Sequence, residues 1–249
     1  MSANDLWLAA GLSGAVFLGA STQRISGVGF ALVASPFLVA LLGPFNGVIV
    51  INVFGVLTSF TVFMHVHRLV QYRRAVLMMV PAIVAIIPGS WVAKHMPSDV
   101  LSILIGAMII VALLASLFVQ DARILAGRAG AVFAGAVSGF MNVTAGVGGP
   151  AVTAYAVATR WPQAAFAATA QLYFFCVGIA SLLAKQTLPQ MSALQWVGCA
   201  IALALGVVVG NVSAPLVPQR VSRVAVIVIA FLGSLLVLTK GILALAGGA

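Results

Sequence analysis

The stretch SGFMNVTAGVGGPAVTAY, residues 138–155, interrupts an otherwise apolar segment and decides how the fold is interpreted. It places Asn142 and Thr144 beside a group of glycines that ends at Pro150. Glycine and proline disfavour a helix interior, since glycine is conformationally free and proline lacks an amide hydrogen. Asparagine and threonine add side-chain hydrogen-bonding groups. The stretch therefore predicts a helix break that carries polar groups.

The composition predicts that this break lies in a membrane. Of the 249 residues, 63% are hydrophobic and 6% are charged, and the mean hydropathy is +1.22. A water-soluble domain of this length cannot bury so many apolar side chains. Apolar runs of about 18 residues recur along the chain, as in polytopic helical membrane proteins. The start, MSANDLW, has no basic region, so we expect no cleaved signal peptide.

The predicted fold is all-α, with ten apolar elements. They lie at about residues 6–24, 27–43, 46–64, 75–94, 99–119, 128–142, 146–160, 163–184, 193–214 and 220–245. When Arg24 is left out of the count, the connections after odd-numbered elements contain eight lysine and arginine residues, and the connections after even-numbered elements contain three. Since cytoplasmic loops are rich in lysine and arginine, the odd-numbered connections are predicted to face the cytoplasm and both termini the outside. Trp7, Trp91, Trp161 and Trp196 lie near element ends and are predicted to form an interfacial belt.

The two halves of the chain repeat each other. GAVFLGA at 14–20 matches AVFAGAV at 131–137 when Gly14 is aligned with Gly130. Further along, Gly27-Val28-Gly29 falls on Gly146-Val147-Gly148, Asn52 on Gln171, Gly89 on Gly210 and Pro97 on Pro218. Each half has five elements, and an odd number inverts the second half relative to the first, as in many secondary transporters. We therefore predict two inverted repeats, residues 1–121 and 122–249, in one integral membrane domain.

Elements six and seven are short, at about 15 residues or roughly 22 Å each, which is less than the ~30 Å hydrocarbon core. We therefore predict that each half opens with a V-shaped hairpin of broken helices and continues with three transmembrane helices. The sequence leaves open whether the longer first hairpin crosses the membrane fully. In the second hairpin the turn is predicted at residues 143–145, with a short helix starting near Gly146.

The turns of both hairpins are predicted to bind an anion. A helix N-terminus at mid-depth presents unpaired N–H groups and a partial positive charge. Arg24, in the first turn, has no acidic residue nearby, and a transported anion would supply the counter-charge that a guanidinium in the membrane needs. The predicted substrate-binding residues are Gln23, Arg24, Ser26, Gly27, Gly29, Asn52, Asn142, Thr144, Gly146, Gly148, Gly149 and Gln171.

Simpler roles stay open for these residues. The glycines of residues 142–150 can serve close helix packing alone. Arg24 can be a cation whose side chain extends to the cytoplasmic surface. Asn52 and Gln171 can form interhelical hydrogen bonds.

The G-x-G-G-P turn after SGFMNVTA, the repeated half and the chain length resemble the sulfite exporter TauE/SafE family. The resemblance covers essentially the whole chain and is specific at residues 139–150. It implies a multi-pass permease of the cell inner membrane that exports sulfite or a short organosulfonate. Family members generally carry a glycine-rich turn in both halves, whereas the first turn here is Gly27-Val28-Gly29-Phe30, without the double glycine.

The scarcity of acidic residues limits the mechanism. The chain has Asp5, Asp99 and Asp121 and no glutamate, and each aspartate is predicted in a connection or at an element end. A proton relay through a buried carboxylate is therefore not expected, while sodium coordination by backbone carbonyls stays open. A negative cell interior drives anions outward by about 2.3 kcal/mol per charge per 100 mV, which suffices for uncoupled export by alternating access.

Expected partners are the small anionic substrate and the lipid bilayer, with no nucleic acid, cofactor or metal, and a homodimer stays open. Gly11-Leu12-Ser13-Gly14 fits the G-x-S-G pattern of intramembrane serine proteases. Such a serine needs a histidine in a neighbouring span, and His65, His67 and His95 lie at element ends, so we do not expect an enzyme. An anion channel, or a permease for sulfate, thiosulfate or a carboxylate, stays open.

Overall fold

The computed structural model describes residues 3–26, 30–118 and 127–247, which form ten α-helices. These are α1 Ala3–Ser26, α2 Phe30–Leu42, α3 Pro44–Val66, α4 Tyr72–His95, α5 Ser98–Phe118, α6 Gly127–Ala145, α7 Gly149–Ala158, α8 Gln163–Lys185, α9 Ala193–Ser213 and α10 Gln219–Gly247. Each predicted element corresponds to one helix, so the prediction of an all-α fold is confirmed.

Local sequence chemistry sets several helix ends. Ser192 and Gln195 form a capping box at the start of α9, in which each side chain binds the other residue's backbone N–H. α8 is followed by Gln186 in the left-handed conformation, with φ 57°. α6 is followed by Gly146, with φ 73°, a region that glycine enters without steric cost.

Six helices are long and apolar enough to cross a membrane. They lie at Pro44–Leu69, Tyr72–His95, Ser98–Ala115, Gln163–Lys185, Ala193–Ser213 and Val224–Gly247. These spans correspond to α3, α4 and α5 in the first half and to α8, α9 and α10 in the second half. The sequence predicted three transmembrane helices at these places in each half. Large apolar side chains such as Ile87 and Val208 are exposed on them, as expected for surfaces that face lipid. The chain is therefore a multi-pass membrane protein.

The helices form two compact units, and each unit contains helices from both halves of the chain. Unit 1 comprises Met1–Ile51, Ser98–Ala107 and Leu188–Ala249, and unit 2 comprises Asn52–Pro97 and Met108–Thr187. Unit 1 therefore contains the α1–α2 hairpin with α9 and α10, and unit 2 contains the α6–α7 hairpin with α4 and α8.

Glycines bring the central helices of each unit into close contact. In unit 1, a methyl group at Gly206 of α9 would lie 2.7 Å from the Phe17 carbonyl oxygen of α1. In unit 2, methyl groups at Gly135 and Gly139 of α6 would overlap the backbone of Met78 and Ala82 of α4. Small residues of this kind let membrane helices approach backbone to backbone.

One contact occurs at aligned positions in the two units. Gly210 of α9 packs on Ser21 and Arg24 of α1, and its aligned residue Gly89 of α4 packs on Phe140 and Val143 of α6. The sequence offset that aligns Gly27 with Gly146 also relates Ser21 to Phe140 and Arg24 to Val143. These matched contacts are what a repeat would produce. The inverted orientation stays a prediction, and the predicted boundary at residues 121 and 122 lies outside the described residues.

Candidate functional site

A three-residue break at residues 146–148 separates α6 from α7. The N–H of Gly146 donates to the Asn142 carbonyl oxygen at 2.9 Å, which closes α6 with a left-handed cap. α7 begins at Gly149, and Pro150 lies in its first turn, where a helix needs no amide hydrogen. The prediction of a turn at residues 143–145 is wrong by three residues, because those residues continue α6 until a glycine takes the positive φ.

Protein covers this break, since residues 141–148 are all buried. Irregular backbone at membrane depth is tolerated where protein buries it or where it lines a polar cavity. The first N–H groups of any helix lack partners within the helix, and no side chain caps the N-terminus of α7. The break therefore starts a new helix, with its partial positive charge, inside unit 2.

Asn142 holds the end of α6 against two other helices of unit 2. Its side-chain nitrogen donates to the Asn52 Oδ1 of α3 at 2.8 Å and to the Ser181 Oγ of α8 at 3.0 Å. The Asn52 side-chain nitrogen donates in return to the Asn142 carbonyl oxygen at 3.4 Å. All three residues are buried. An asparagine amide has two hydrogens, and both are engaged in this network.

Thr144 also directs its hydroxyl group into the fold. Its Oγ1 donates to the Phe140 carbonyl oxygen at 2.7 Å, one turn earlier in α6, and lies 3.8 Å from the Met108 sulfur. This bond within its own helix is typical of threonine in apolar surroundings. Neither Asn142 nor Thr144 therefore has an unused side-chain donor in this structure, and their predicted contact with substrate stays a prediction.

Ser138 is the polar group that the sequence analysis missed. It is fully buried on α6, and a methyl group at Gly148 would lie 2.6 Å from its Oγ. Within the described part of the chain no hydrogen bond of good geometry reaches this Oγ, although the Tyr173 hydroxyl lies within reach of it. Its spacing in the sequence could have identified it, because Ser138 lies four residues before Asn142 and therefore on the same face of the helix.

The first hairpin presents a cation instead. Arg24 lies in the last turn of α1, is half-buried, and packs its Cβ on Gly210 of α9. Its Nε is buried and has no hydrogen-bond partner in the residues that the structure describes. Gln23 is also half-buried. Gly27, Gly29 and the side chain of Ser26 lie outside the described residues, so their predicted roles stay predictions.

Gln171 is separate from the Asn142 network, although its aligned residue Asn52 belongs to it. Gln171 is buried on α8, ten residues before Ser181, which is roughly 15 Å of helix. Its Oε1 has no hydrogen-bond partner across residues 3–26, 30–118 and 127–247. The structure therefore brings Asn52 and Asn142 together and leaves Gln171 outside their hydrogen bonds.

Acidic residues are scarce in unit 2. The chain contains three acidic residues, and in unit 2 the sequence supplies only Asp121, which lies outside the described residues. No group of three or more histidine, cysteine or acidic side chains able to hold a metal ion occurs in the described ranges. The described part of the break therefore combines backbone N–H groups at the start of α7 with no described carboxylate.

Comparison with known protein families identifies the chain. A model of the family described as Sulfite exporter TauE/SafE matches residues 12–237. The chain belongs to the TauE/SafE family. The match spans both hairpins and the six candidate spans up to residue 237, so the resemblance expected from residues 139–150 is confirmed along most of the chain.

Membership makes this TauE/SafE chain a membrane transporter of sulfur anions. No curated protein and no solved structure matches the chain. The family match therefore sets the class of cargo. Within the described residues, the two hairpins each carry a buried polar atom without a hydrogen-bond partner, Arg24 Nε in the first and Ser138 Oγ in the second.

Proposed function

We propose that this TauE/SafE family member exports sulfite or a short organosulfonate from the cytoplasm across the inner membrane by alternating access. Family membership supports the sulfur anion as cargo. The absence of glutamate and the presence of three aspartates in the whole sequence support a route without a carboxylate proton relay.

The observation that carries the proposal is the start of α7. An uncapped helix N-terminus lies beside the buried Ser138 hydroxyl, and the absence of a side chain at Gly148 lets the backbone approach that hydroxyl closely. A sulfonate or sulfite oxygen would accept hydrogen bonds from the first N–H groups of α7 and from Ser138 Oγ. Asn142 then acts as a positioning residue, because its bonds to Asn52 and Ser181 fix the end of α6.

Arg24 supplies the second element of the proposal. Its Nε lacks a described partner in unit 1, and a half-buried guanidinium gains stability from an anion. During the transport cycle the cargo would neutralise this cation. The membrane potential then moves the anion, since about 2.3 kcal/mol per charge per 100 mV corresponds to roughly 50-fold accumulation on the positive side.

A flux assay with Ser138→Ala tests the site. We expect the KM for sulfite efflux from proteoliposomes to rise roughly tenfold or more, because a lost hydrogen bond to a charged group is worth about 1.5–3 kcal/mol. Ser234→Ala is the matched control, since Ser234 is equally buried but donates to the Ala230 carbonyl oxygen of its own helix. An unchanged KM in Ser138→Ala would remove Ser138 from the site.

The same vesicles separate the remaining alternatives. An uncoupled carrier should respond to an imposed potential without a sodium gradient, and unlabelled sulfite on the opposite side should accelerate labelled exchange. Exchange without such acceleration, together with single-channel currents, would indicate a channel. Inhibition of labelled sulfite flux by sulfate, thiosulfate, methanesulfonate and acetate would rank the affinities for these anions. Stronger inhibition by acetate than by methanesulfonate would contradict the proposal that the substrate is a sulfur oxyanion.

A further inference from the structure

A second group of unpartnered donors lies at the start of α4, away from the α6–α7 break. The Arg74 guanidinium carbon of α4 lies 4.7 Å from the ring centroid of Trp161, in the connection between α7 and α8. Tyr155 packs against the edge of the same indole, with 6.2 Å between ring centroids, and Phe166 packs at 5.7 Å. We call Arg74 and Trp161 with these two aromatic neighbours the Arg74–Trp161 cluster.

Trp161 contradicts the interfacial belt predicted from its position in the sequence. Only 6% of its surface is exposed, whereas Trp7 and Trp91 are 76% and 63% exposed. The backbone turns this side chain inward, because Arg160 takes a positive φ of 48° and the backbone N–H of Trp161 donates to the Ala156 carbonyl oxygen at 2.9 Å. An interfacial tryptophan normally keeps its indole N–H in the polar headgroup region, and this one is enclosed by protein.

Two hydrogen-bond donors of the cluster have no acceptor among the described residues. Arg74 Nη1 and Trp161 Nε1 are both buried, and neither has a hydrogen-bond partner within the residues that the structure describes. Burying an indole N–H or a guanidinium N–H without an acceptor costs free energy, more so for the charged group. The stacked ring offsets part of this cost by a cation–π contact but supplies no lone pair. Among the described residues, the cluster therefore has no negatively charged acceptor.

The location of the cluster agrees with an approach from one side of the membrane. The connection that precedes α4 lies against the N-terminal part of α8 within unit 2, since the Gln71 N–H donates to the Thr169 Oγ1 at 3.0 Å. The connections that precede α4 and α8 were both predicted from their arginines to be cytoplasmic. The cluster lies at the C-terminal end of α7 and the break at its N-terminal end, so the ten residues of α7, roughly 15 Å of helix, separate them.

We propose that Arg74 and Trp161 form a second binding site, specific for an oxyanion with at least two exposed oxygens, at the predicted cytoplasmic end of unit 2. One oxygen accepts from the guanidinium Nη1 and another from the indole Nε1. A planar guanidinium suits this geometry better than an ammonium group. A free sulfonate or sulfite and the phosphate of an anionic lipid share this chemistry, and the experiment distinguishes these two sources.

The reporter is a chain in which Trp7, Trp91 and Trp196 are replaced by phenylalanine, so that Trp161 alone fluoresces. The full chain is placed in nanodiscs of zwitterionic lipid and titrated with sodium methanesulfonate against sodium chloride at constant ionic strength. We expect a saturable change in Trp161 emission. Arg74→Gln should weaken this response at least tenfold, whereas Arg73→Gln, the same change at an exposed neighbouring position, should alter it less than twofold.

The lipid arm uses native mass spectrometry of the same variants extracted from vesicles that contain phosphatidylglycerol. Loss of one retained anionic lipid in Arg74→Gln but not in Arg73→Gln supports the site with a lipid phosphate as its ligand. If Arg74→Gln does not fold, Arg74→Lys keeps the charge and should still bind at least threefold more weakly than the parent. If neither arm distinguishes the Arg74 variants from Arg73→Gln, the proposal is overturned and the cluster is a packing contact.

Asp121 provides one further check, because it is the acidic residue that the sequence assigns to unit 2. We expect Asp121→Asn to leave methanesulfonate binding unchanged. Binding that appears only in Asp121→Asn would mean that this carboxylate already neutralises Arg74, which would overturn the site. These readouts measure binding at Trp161 and not flux, so their failure is distinct from failure of the Ser138 flux assay.

Discussion

The α1–α2 and α6–α7 hairpins pack in matched ways but present different polar groups. The first helix of each hairpin contacts one of two aligned glycines. α1 contacts Gly210 of α9, and α6 contacts Gly89 of α4. At the position where α6 has the fully buried Val143, α1 has the half-buried Arg24. The second hairpin thus offers neutral donors from backbone and Ser138, and the first offers a cation. The comparison teaches that a repeated packing scheme fixes helix positions and leaves the local chemistry free to differ.

The largest expected effect concerns the neutral hairpin. In Gly148→Ala the new methyl group would lie 2.6 Å from Ser138 Oγ and 2.8 Å from the Ser138 carbonyl oxygen, so backbone must shift. We expect sulfite flux to fall by about 100-fold or more, which corresponds to roughly 3 kcal/mol. Gly14→Ala, in the first hairpin and with no atom within 4 Å, is the control and should retain flux. Normal flux in Gly148→Ala would show that the close approach is dispensable.

The next effect concerns the cation of the first hairpin. Arg24→Val gives α1 the residue that α6 carries at the aligned position. We expect the KM for sulfite to rise about 10- to 100-fold, as a charge-assisted hydrogen bond of roughly 1.5–3 kcal/mol is lost. The exposed Arg68→Val serves as control for the change in net charge. Equal KM values for both variants would assign Arg24 a surface role.

A smaller difference separates the two aligned glycines. A methyl group at Gly210 would lie 2.7 Å from Arg24 Cβ and 2.8 Å from the Ser21 carbonyl oxygen, whereas at Gly89 it would meet a side-chain atom, Val143 Cγ1, at 2.5 Å and no backbone atom of α6 nearer than 3.4 Å. Overpacking costs about 1–3 kcal/mol, and we expect Gly210→Ala to lower the Tm in detergent more than Gly89→Ala. The reverse order would mean that the α4–α6 contact is the more rigid one.

The smallest effect concerns the buried network around Asn142. Hydrogen bonds between membrane helices are worth about 0.6 kcal/mol on average and up to about 1.7 kcal/mol. We expect Asn52→Ala and Asn142→Ala each to lower the Tm, and the double variant to lower it by less than the sum of both. Additive Tm changes would contradict the bond of 2.8 Å between these side chains.

Several features of the fold were predictable because their causes are local. Apolar length predicted the six spans, and glycine with proline predicted a break near Pro150. The exact turn was not predictable, since Val143–Ala145 are compatible with either helix or turn until the positive φ is assigned to Gly146. Asn142 and Thr144 were identified as donors from residue type alone, and residue type does not reveal that their hydrogens are already engaged.

The sequence by itself determined the membrane class, the all-helical fold, a helix break close to Pro150 and, through the TauE/SafE match, the kind of cargo. These follow from hydrophobicity and backbone preferences that act over a few residues. Only the tertiary structure decided which polar groups of the described residues lack hydrogen-bond partners. Asn52 and Ser181 are 90 and 39 residues from Asn142 along the chain, and Trp161 of the α7–α8 connection meets Arg74 of α4. Hydrogen-bond satisfaction depends on such distant neighbours, which helix packing brings together.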